Sequence, residues 1–288
     1  MHDTSKQLLE LMFREGESVC VSPNKFGYHS VPLEDAIFGE TVTLLPPNPE
    51  SKTIKPDTDK LILVALNPIV GFRVDANCTG FRNFLIEMDV GTQEQQKEYI
   101  AARAMPYSAA VFSGGKSLHY LISLEDDLPN EATWRMVNQW CLNIMTLADQ
   151  NCKNPSRSIR LPGAMRDTGK MQELVEIKTT VSYAELSAWL KTYPQCAPKP
   201  EPKRQKPSET PTLDRVRPWV KKRIVGGLDP KQSRNTQWFA IACEFAIAGF
   251  SEEDATDILE GYFNEDTDFK KREWKASIRS GFKHVNRR

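Results

Sequence analysis

The chain alternates between helical and strand-like hydrophobic periods, and these periods predict most of its elements. Ser5 to Arg14 carries Leu8, Leu9, Leu11 and Met12 at helical spacing and predicts a short amphipathic helix. Strand-like pieces follow near Ser18–Val21 and Thr41–Leu45, the second stopped by Pro46-Pro47-Asn48-Pro49, and Lys60–Leu66 is a third. Phe84–Asp89 predicts a short buried strand, Gln93–Arg103 a polar helix, and Ala109–Phe112 with Ser117–Leu124 a hairpin turning at Gly114-Gly115. Asn130–Leu147 predicts a long amphipathic helix with Trp134, Val137, Trp140, Cys141 and Ile144 on one side. Arg157–Leu161 and Glu173–Ile177 are strand candidates, and Tyr183–Tyr193 is a helix.

The pattern then changes. Pro198, Pro200, Pro202, Pro207 and Pro211 alternate with Lys, Arg, Glu and Ser, a composition that cannot sustain a hydrogen-bonded ladder. Beyond it the periods are all helical: Leu213–Val225, Asn235–Ala248, a helix opened by Ser251 with Glu253 and Asp254 in its first turn, and Phe269–Val285. The expected organisation is an α+β domain over residues 1–195, a Pro/Lys-rich linker over 196–212 and a small all-α helical bundle over 213–288.

Composition narrows the function little. The 288 residues are 40% hydrophobic, enough for a sizeable core, and 38 basic residues balance 38 acidic ones. Net charge therefore nominates no nucleic-acid binder, and local charge must decide. No apolar run is long enough to span a membrane, and the first residues lack a signal peptide's apolar region. The six cysteines form no Cys-x-x-Cys pair, so neither a disulfide framework nor a zinc site is expected, and the expected home is the reducing cytoplasm.

Three stretches carry candidate chemistry. In Glu87-Met88-Asp89 the strand period turns both carboxylates to one face, where they repel each other unless a hard cation such as Mg²⁺ or Mn²⁺ joins them. Acidic residues also end strands on solvated faces. In Ser113-Gly114-Gly115-Lys116-Ser117-Leu118-His119 the glycines permit close backbone approach, Lys116 offers charge, and Ser117 and His119 share a face. The spacing is not that of a P-loop, and a plain hairpin with a satisfied histidine is the alternative. Between Asp149 and Arg166 one acid precedes Arg157, Arg160 and Arg166, a grouping suited to phosphate oxygens or to an internal salt bridge. Three carboxylates, a Ser/His pair and arginines together fit two-metal phosphoryl transfer.

In their order and spacing these motifs resemble the archaeo-eukaryotic primase superfamily, in particular primase-polymerases of phages, plasmids and mobile elements. That family carries an acidic-x-acidic pair, then Ser-x-His, then a third acid, matched here by Glu87-Met88-Asp89, Ser117-Leu118-His119 and Asp149. Ser156-Arg157 through Arg160-Leu161-Pro162-Gly163 resembles the segment after the third acid. Gly226-Gly227, Arg234 and Phe250–Ala255 resemble a primase C-terminal helical domain. The resemblance implies an RRM-like catalytic sheet beside a smaller α/β module. It implies a two-metal site of Mg²⁺ or Mn²⁺, without zinc, on Glu87, Asp89 and Asp149. His119 would belong to the catalytic set and, with Ser117 and Arg157, would grip the incoming nucleotide. Lys116, Arg160 and Arg166 are further candidates for that grip. The implied partners are single-stranded DNA template and primer, NTPs or dNTPs and a separate replicative helicase, in a bacterial or virus-infected host cytoplasm. Arg217, Lys221, Lys222, Arg223 and Arg234 could follow a DNA backbone, or could be the solvated faces of helices. The rival functions are a non-catalytic replication-initiator or DNA-binding module, and a metal-dependent nuclease.

Overall fold

The computed structural model describes residues 1–25, 27–166, 169–198, 211–265 and 268–286. It divides into two compact units, Met1–Lys199 and Pro200–Arg288, each with its own hydrophobic core. Of the expected 196–212 linker, residues 199–210 lie outside the described residues.

In chain order the first unit contains α1 (Asp3–Met12), β1 (Ser18–Val19), β2 (Val21–Ser22), β3 (Val31–Pro32), α2 (Leu33–Phe38), β4 (Leu63–Ala65), β5 (Asn83–Met88), α3 (Gln93–Ala102), β6 (Ala109–Phe112), β7 (Leu118–Ser123), α4 (Glu131–Ile144), β8 (Ser158–Arg160), β9 (Glu173–Ile177) and α5 (Tyr183–Lys191). The fold class is α+β, and every strand pair within its sheets is antiparallel. A four-stranded sheet runs β5-β7-β6-β9, a three-stranded sheet β2-β4-β8, and β1 pairs with β3.

Several elements differ from their sequence expectation for local reasons. The piece at Ser18–Val21 breaks at Cys20 into β1 and β2, which join different sheets. Thr41–Leu45 is not a strand. It makes two isolated bridges, Thr41 with Asp57 and Leu44 with Ile54, and between them Pro56 accepts from Val42 but has no N–H to return. Helix α2 was not expected, although Glu34 and Asp35 supply the acids that favour a first helical turn.

Strands β5 and β7 are packed on both faces. Phe84 of β5 stacks on Trp134 of α4 with ring centroids 5.4 Å apart and planes 4° apart, and the Trp134 indole N–H donates to the Asn83 carbonyl at 2.9 Å. The Asn130 side chain caps α4 through the Thr133 N–H, and Thr92 and Gln95 form a capping box on α3. From α1, the Leu11 carbonyl accepts the Ser123 hydroxyl of β7. The outer edge of β5 is satisfied by side chain and loop rather than by a full strand. Buried Asn67 accepts from the Arg82 and Asn83 N–H groups at 3.0 Å each, and Met88 makes an antiparallel bridge with Ala148 after α4. That bridge delivers the segment carrying Asp149 to the end of β5 that bears Glu87.

The second unit contains α6 (Pro218–Gly226), α7 (Arg234–Ile247), α8 (Glu252–Glu260) and α9 (Lys271–Asn286). The expected helix from Leu213 does not run through. Leu213–Arg215 is a 3₁₀ turn and α6 starts afresh with Pro218 in its first turn, where a missing N–H costs nothing. Trp238, Ile241, Phe245, Trp274, Ile278 and Phe282 form its core. Trp219, unlike Trp238 and Trp274, is 38% exposed.

Candidate active site

Register builds the site. Strands β5 and β7 pair so that Glu87 lies opposite His119 and Met88 opposite Leu118. Opposite residues of an antiparallel pair share a face, so Glu87 and His119 meet. His119 Nε2 is 3.3 Å from Glu87 Oε1. One step beyond the strand ends the same register brings Ser117 to Asp89, and the Ser117 hydroxyl donates to Asp89 Oδ1. The acid-x-acid and Ser-x-His motifs are thus two rungs of one ladder.

The third acid arrives by a backbone tether. The Asp149 N–H donates to the Glu87 carbonyl at 2.8 Å, next to the Met88–Ala148 bridge. Asp149 Oδ1 accepts from the Asn151 backbone and side-chain N–H groups, both at 2.9 Å, which leaves Oδ2 turned to Glu87 and Arg157. Arg157, which precedes β8, places Nη2 3.1 Å from Glu87 Oε2 and 3.0 Å from Asp149 Oδ2. Its Nη1 donates to the Asn151 carbonyl at 3.3 Å. Hydrogen bonding from His119, reinforced by its charge and by Arg157, outweighs partial burial and draws the Glu87 carboxyl down to about 2. Glu87 is therefore an anion throughout the neutral range.

Among the described residues, the side chains placed to share a metal ion are Glu87, Asp149 and Cys152, with ligand atoms within 4.8 Å of one another. Asp89 is not in this group; its Oδ1 accepts the Ser117 hydroxyl. Burial raises the Cys152 thiol well above its ordinary value, so at neutral pH it is an S–H facing Glu87 Oε2 at 3.5 Å. The donor set fits a hard divalent cation. Two carboxylates converge, and a guanidinium already occupies the position where positive charge is favoured.

The other expected residues lie at graded removes. Lys116 is exposed at the hairpin turn. Arg166 lies across that turn and donates to the Ser113 carbonyl at 3.3 Å. A Cβ on Gly114, whose φ is +71°, would sit 2.9 Å from Arg166 Cδ, and one on Gly115 2.9 Å from its Nη1. Arg160 is half-buried in β8, opposite Leu63 in the three-stranded sheet, away from the Glu87–His119 ladder. In the second unit Arg217 forms a fork with buried Glu244, Arg223 pairs with Asp229 at 3.0 Å, and Arg234 lies 5.1 Å above the Phe269 ring. Lys221 and Lys222 are exposed.

Sequence reasoning missed two residues of the site. Gln96 is 1% exposed and ties the loops together. Its amide donates to the Val90, Gly91 and Lys116 carbonyls, and its carbonyl accepts from the Leu118 N–H. Nothing in the polar sequence of α3 marks it. Cys152 lies within the third stretch, between Asp149 and Arg157, and that position was its one signal. His119 Nδ1, on the far side of the ring from Glu87, is buried with no hydrogen-bond partner among the described residues.

No protein-family model matches the chain, and no curated protein sequence matches it. Three solved structures are similar. The primase-polymerase (PrimPol) AEP domain of cyanophage S-2L has 17% identity and a TM-score of 0.48, covering 65% of this chain and 97% of that one. The catalytic domain of primase RepB′, in complex with initiator DNA, has 13% identity and a TM-score of 0.39, covering 67% and 95%. Primase RepB′ has 13% identity and a TM-score of 0.37, covering 98% and 93%. At these identities and TM-scores the likeness is one of structure alone.

Proposed function

We propose that the protein is a template-dependent DNA primase-polymerase that makes primers, extends DNA, or does both, from NTPs or dNTPs during replication. The observation that carries this reading is the convergence at one end of one sheet of Glu87, Asp149 and Arg157 beside the Glu87–His119 and Asp89–Ser117 rungs. In this reading β5, β7 and β6 are three strands of the RRM-like catalytic sheet of a 1–195 domain, with the segment at Ala148 beside β5 in the place of the fourth and β9 added at the other edge. The 213–288 region is a helical accessory domain.

Glu87, Asp149 and Asp89 are the residues that would hold Mg²⁺ or Mn²⁺. When bound, such ions stabilise charge on the reacting α-phosphate and acidify the attacking 3′ hydroxyl. The protein's own groups do the rest. The Glu87 and Asp149 carboxylates attract cations to the strand end. The His119 ring, held by Glu87, keeps its orientation for a phosphate oxygen. The Ser117 hydroxyl and the Arg157 fork bind the β and γ phosphates, with Lys116 and Arg166 near the same hairpin and Arg160 further off. The primer and the single-stranded template meet this end of the sheet, and any unwinding comes from a separate helicase.

The test is synthesis on unprimed and on primed single-stranded DNA, with Mg²⁺ or Mn²⁺, supplying NTPs and dNTPs separately. Asp89→Ala, Glu87→Gln and Asp149→Asn are expected to lower synthesis by at least about a thousandfold while staying folded. A folded Asp89→Ala variant that extends primers normally would show the site assignment to be wrong. DNA binding without synthesis would leave a binding module, and cutting of labelled DNA with Mn²⁺ alone would make it a nuclease.

A further inference from the structure

The Arg157 guanidinium lies on the same two carboxylates that would hold a divalent cation. Nη2 reaches Glu87 Oε2 at 3.1 Å and Asp149 Oδ2 at 3.0 Å, and these two side chains with Cys152 form the metal-capable group among the described residues. A guanidinium and a divalent ion cannot both sit there without strong like-charge repulsion, least of all at a half-buried site where the effective dielectric is low. Yet Arg157 is not locked in. Its side chain is 28% exposed, and its hydrogen bond to the Asn151 carbonyl is long at 3.3 Å. Rotation about its side-chain bonds can move the guanidinium while its backbone stays hydrogen-bonded to Leu66 and Asn154. Leaving the carboxylates would strand a charge unless a new anion received it, and a triphosphate offers oxygens that match the planar fork.

We propose that Arg157 is shared in turn between the carboxylates and the nucleotide. Before substrate arrives it neutralises Glu87 and Asp149 and holds divalent-metal affinity down. Metal and triphosphate then displace it together, and it closes on phosphate. This rests on the primase-polymerase reading and adds an order to it: the site resists loading with metal alone. By linkage, whatever affinity the metal adds for nucleotide, the nucleotide adds for the metal.

One substitution should therefore move two affinities in opposite directions. In the full-length protein, Mn²⁺ binding without nucleotide is read by electron paramagnetic resonance. Binding of the α,β-methylene analogue of dATP is read by equilibrium dialysis at fixed Mn²⁺. Arg157→Gln is expected to tighten Mn²⁺ about tenfold and to weaken the nucleotide about tenfold. Arg157→Lys keeps the charge, is expected to stay within about twofold of wild type for Mn²⁺ and guards against a folding artefact, with thermal melts as the check. If Arg157→Gln leaves Mn²⁺ affinity unchanged, the arginine serves phosphate alone. If it weakens both ligands, the arginine is a structural brace. Either result overturns the proposal while the active-site reading stands. If Glu87→Gln and Asp149→Asn bind Mn²⁺ as wild type does, the metal lies elsewhere and both readings fall.

Discussion

At the scale of single residues, alternation along a strand carries most of the site. Side chains two apart on adjacent antiparallel strands meet whenever the register allows, so Glu87 with His119 and Asp89 with Ser117 follow from two short motifs once β5 and β7 pair. Arg157 and Cys152 reach the same place from a loop, and no periodicity announces a loop residue's direction. Ionisation shows the same dependence on surroundings. Burial, aided by Tyr107 and Glu176, pushes the Tyr120 phenol up to about 12. Because the folded value lies above the unfolded one of about 10, the contribution to stability is complete below pH 10 and is lost as pH rises toward 12. Alkaline unfolding followed by circular dichroism should set in within that window, and Tyr120→Phe should move it to higher pH. An unmoved transition in Tyr120→Phe would assign the loss to other groups.

At the scale of elements, proline and glycine decided where the periodic reading failed. Pro56 interrupts what would have been a ladder opposite Thr41–Leu45, and Pro218 restarts the helix expected from Leu213. Gly281 in α9 shows propensity and packing in open conflict. By propensity alone, alanine there would stabilise the helix by about 1 kcal/mol. Yet a Cβ at Gly281 would lie 2.6 Å from Ala242 Cβ, 2.8 Å from the Phe239 carbonyl oxygen and 3.1 Å from the Cys243 nitrogen, all on α7. Two of those neighbours are backbone and cannot turn aside. Gly281→Ala should therefore destabilise the second unit by about 1–3 kcal/mol, read from urea midpoints. A stabilised variant would mean that α7 and α9 separate easily, which the burial of Trp274, Ile278 and Phe282 argues against.

At the scale of the whole molecule, balanced charge hides a local division of labour. Arg217 and Arg223 are committed to Glu244 and Asp229, while Lys221 and Lys222 on the same helix face water. Exposed lysines are the ones free to release counterions from a DNA backbone. On the proposed DNA-binding reading, Lys221→Glu with Lys222→Glu should weaken binding to single-stranded DNA. It should also reduce the slope of log affinity against log salt by about 1.4, at roughly 0.7 for each phosphate no longer neutralised. Arg217→Ala should leave that slope unchanged and lower the thermal midpoint, because it strands buried Glu244. Salt titrations that show the reverse would place the DNA interface on the paired arginines.

The amino-acid sequence by itself determined the α+β class of the first unit, the helical character of the second, and the two motifs whose residues face each other across β5 and β7. Those features rest on hydrophobic period and on alternation, which are local and need no partner to be read. Only the tertiary structure decided three other things. Asp149 is hung on the Glu87 carbonyl by a bridge after α4. Arg157 sits on both carboxylates rather than outside them. Gln96 and Cys152 belong to the site at all. Each of these depends on contacts between segments distant in the chain or on the path of a loop, and the energy of such contacts is invisible until the sheet edge that receives them has formed.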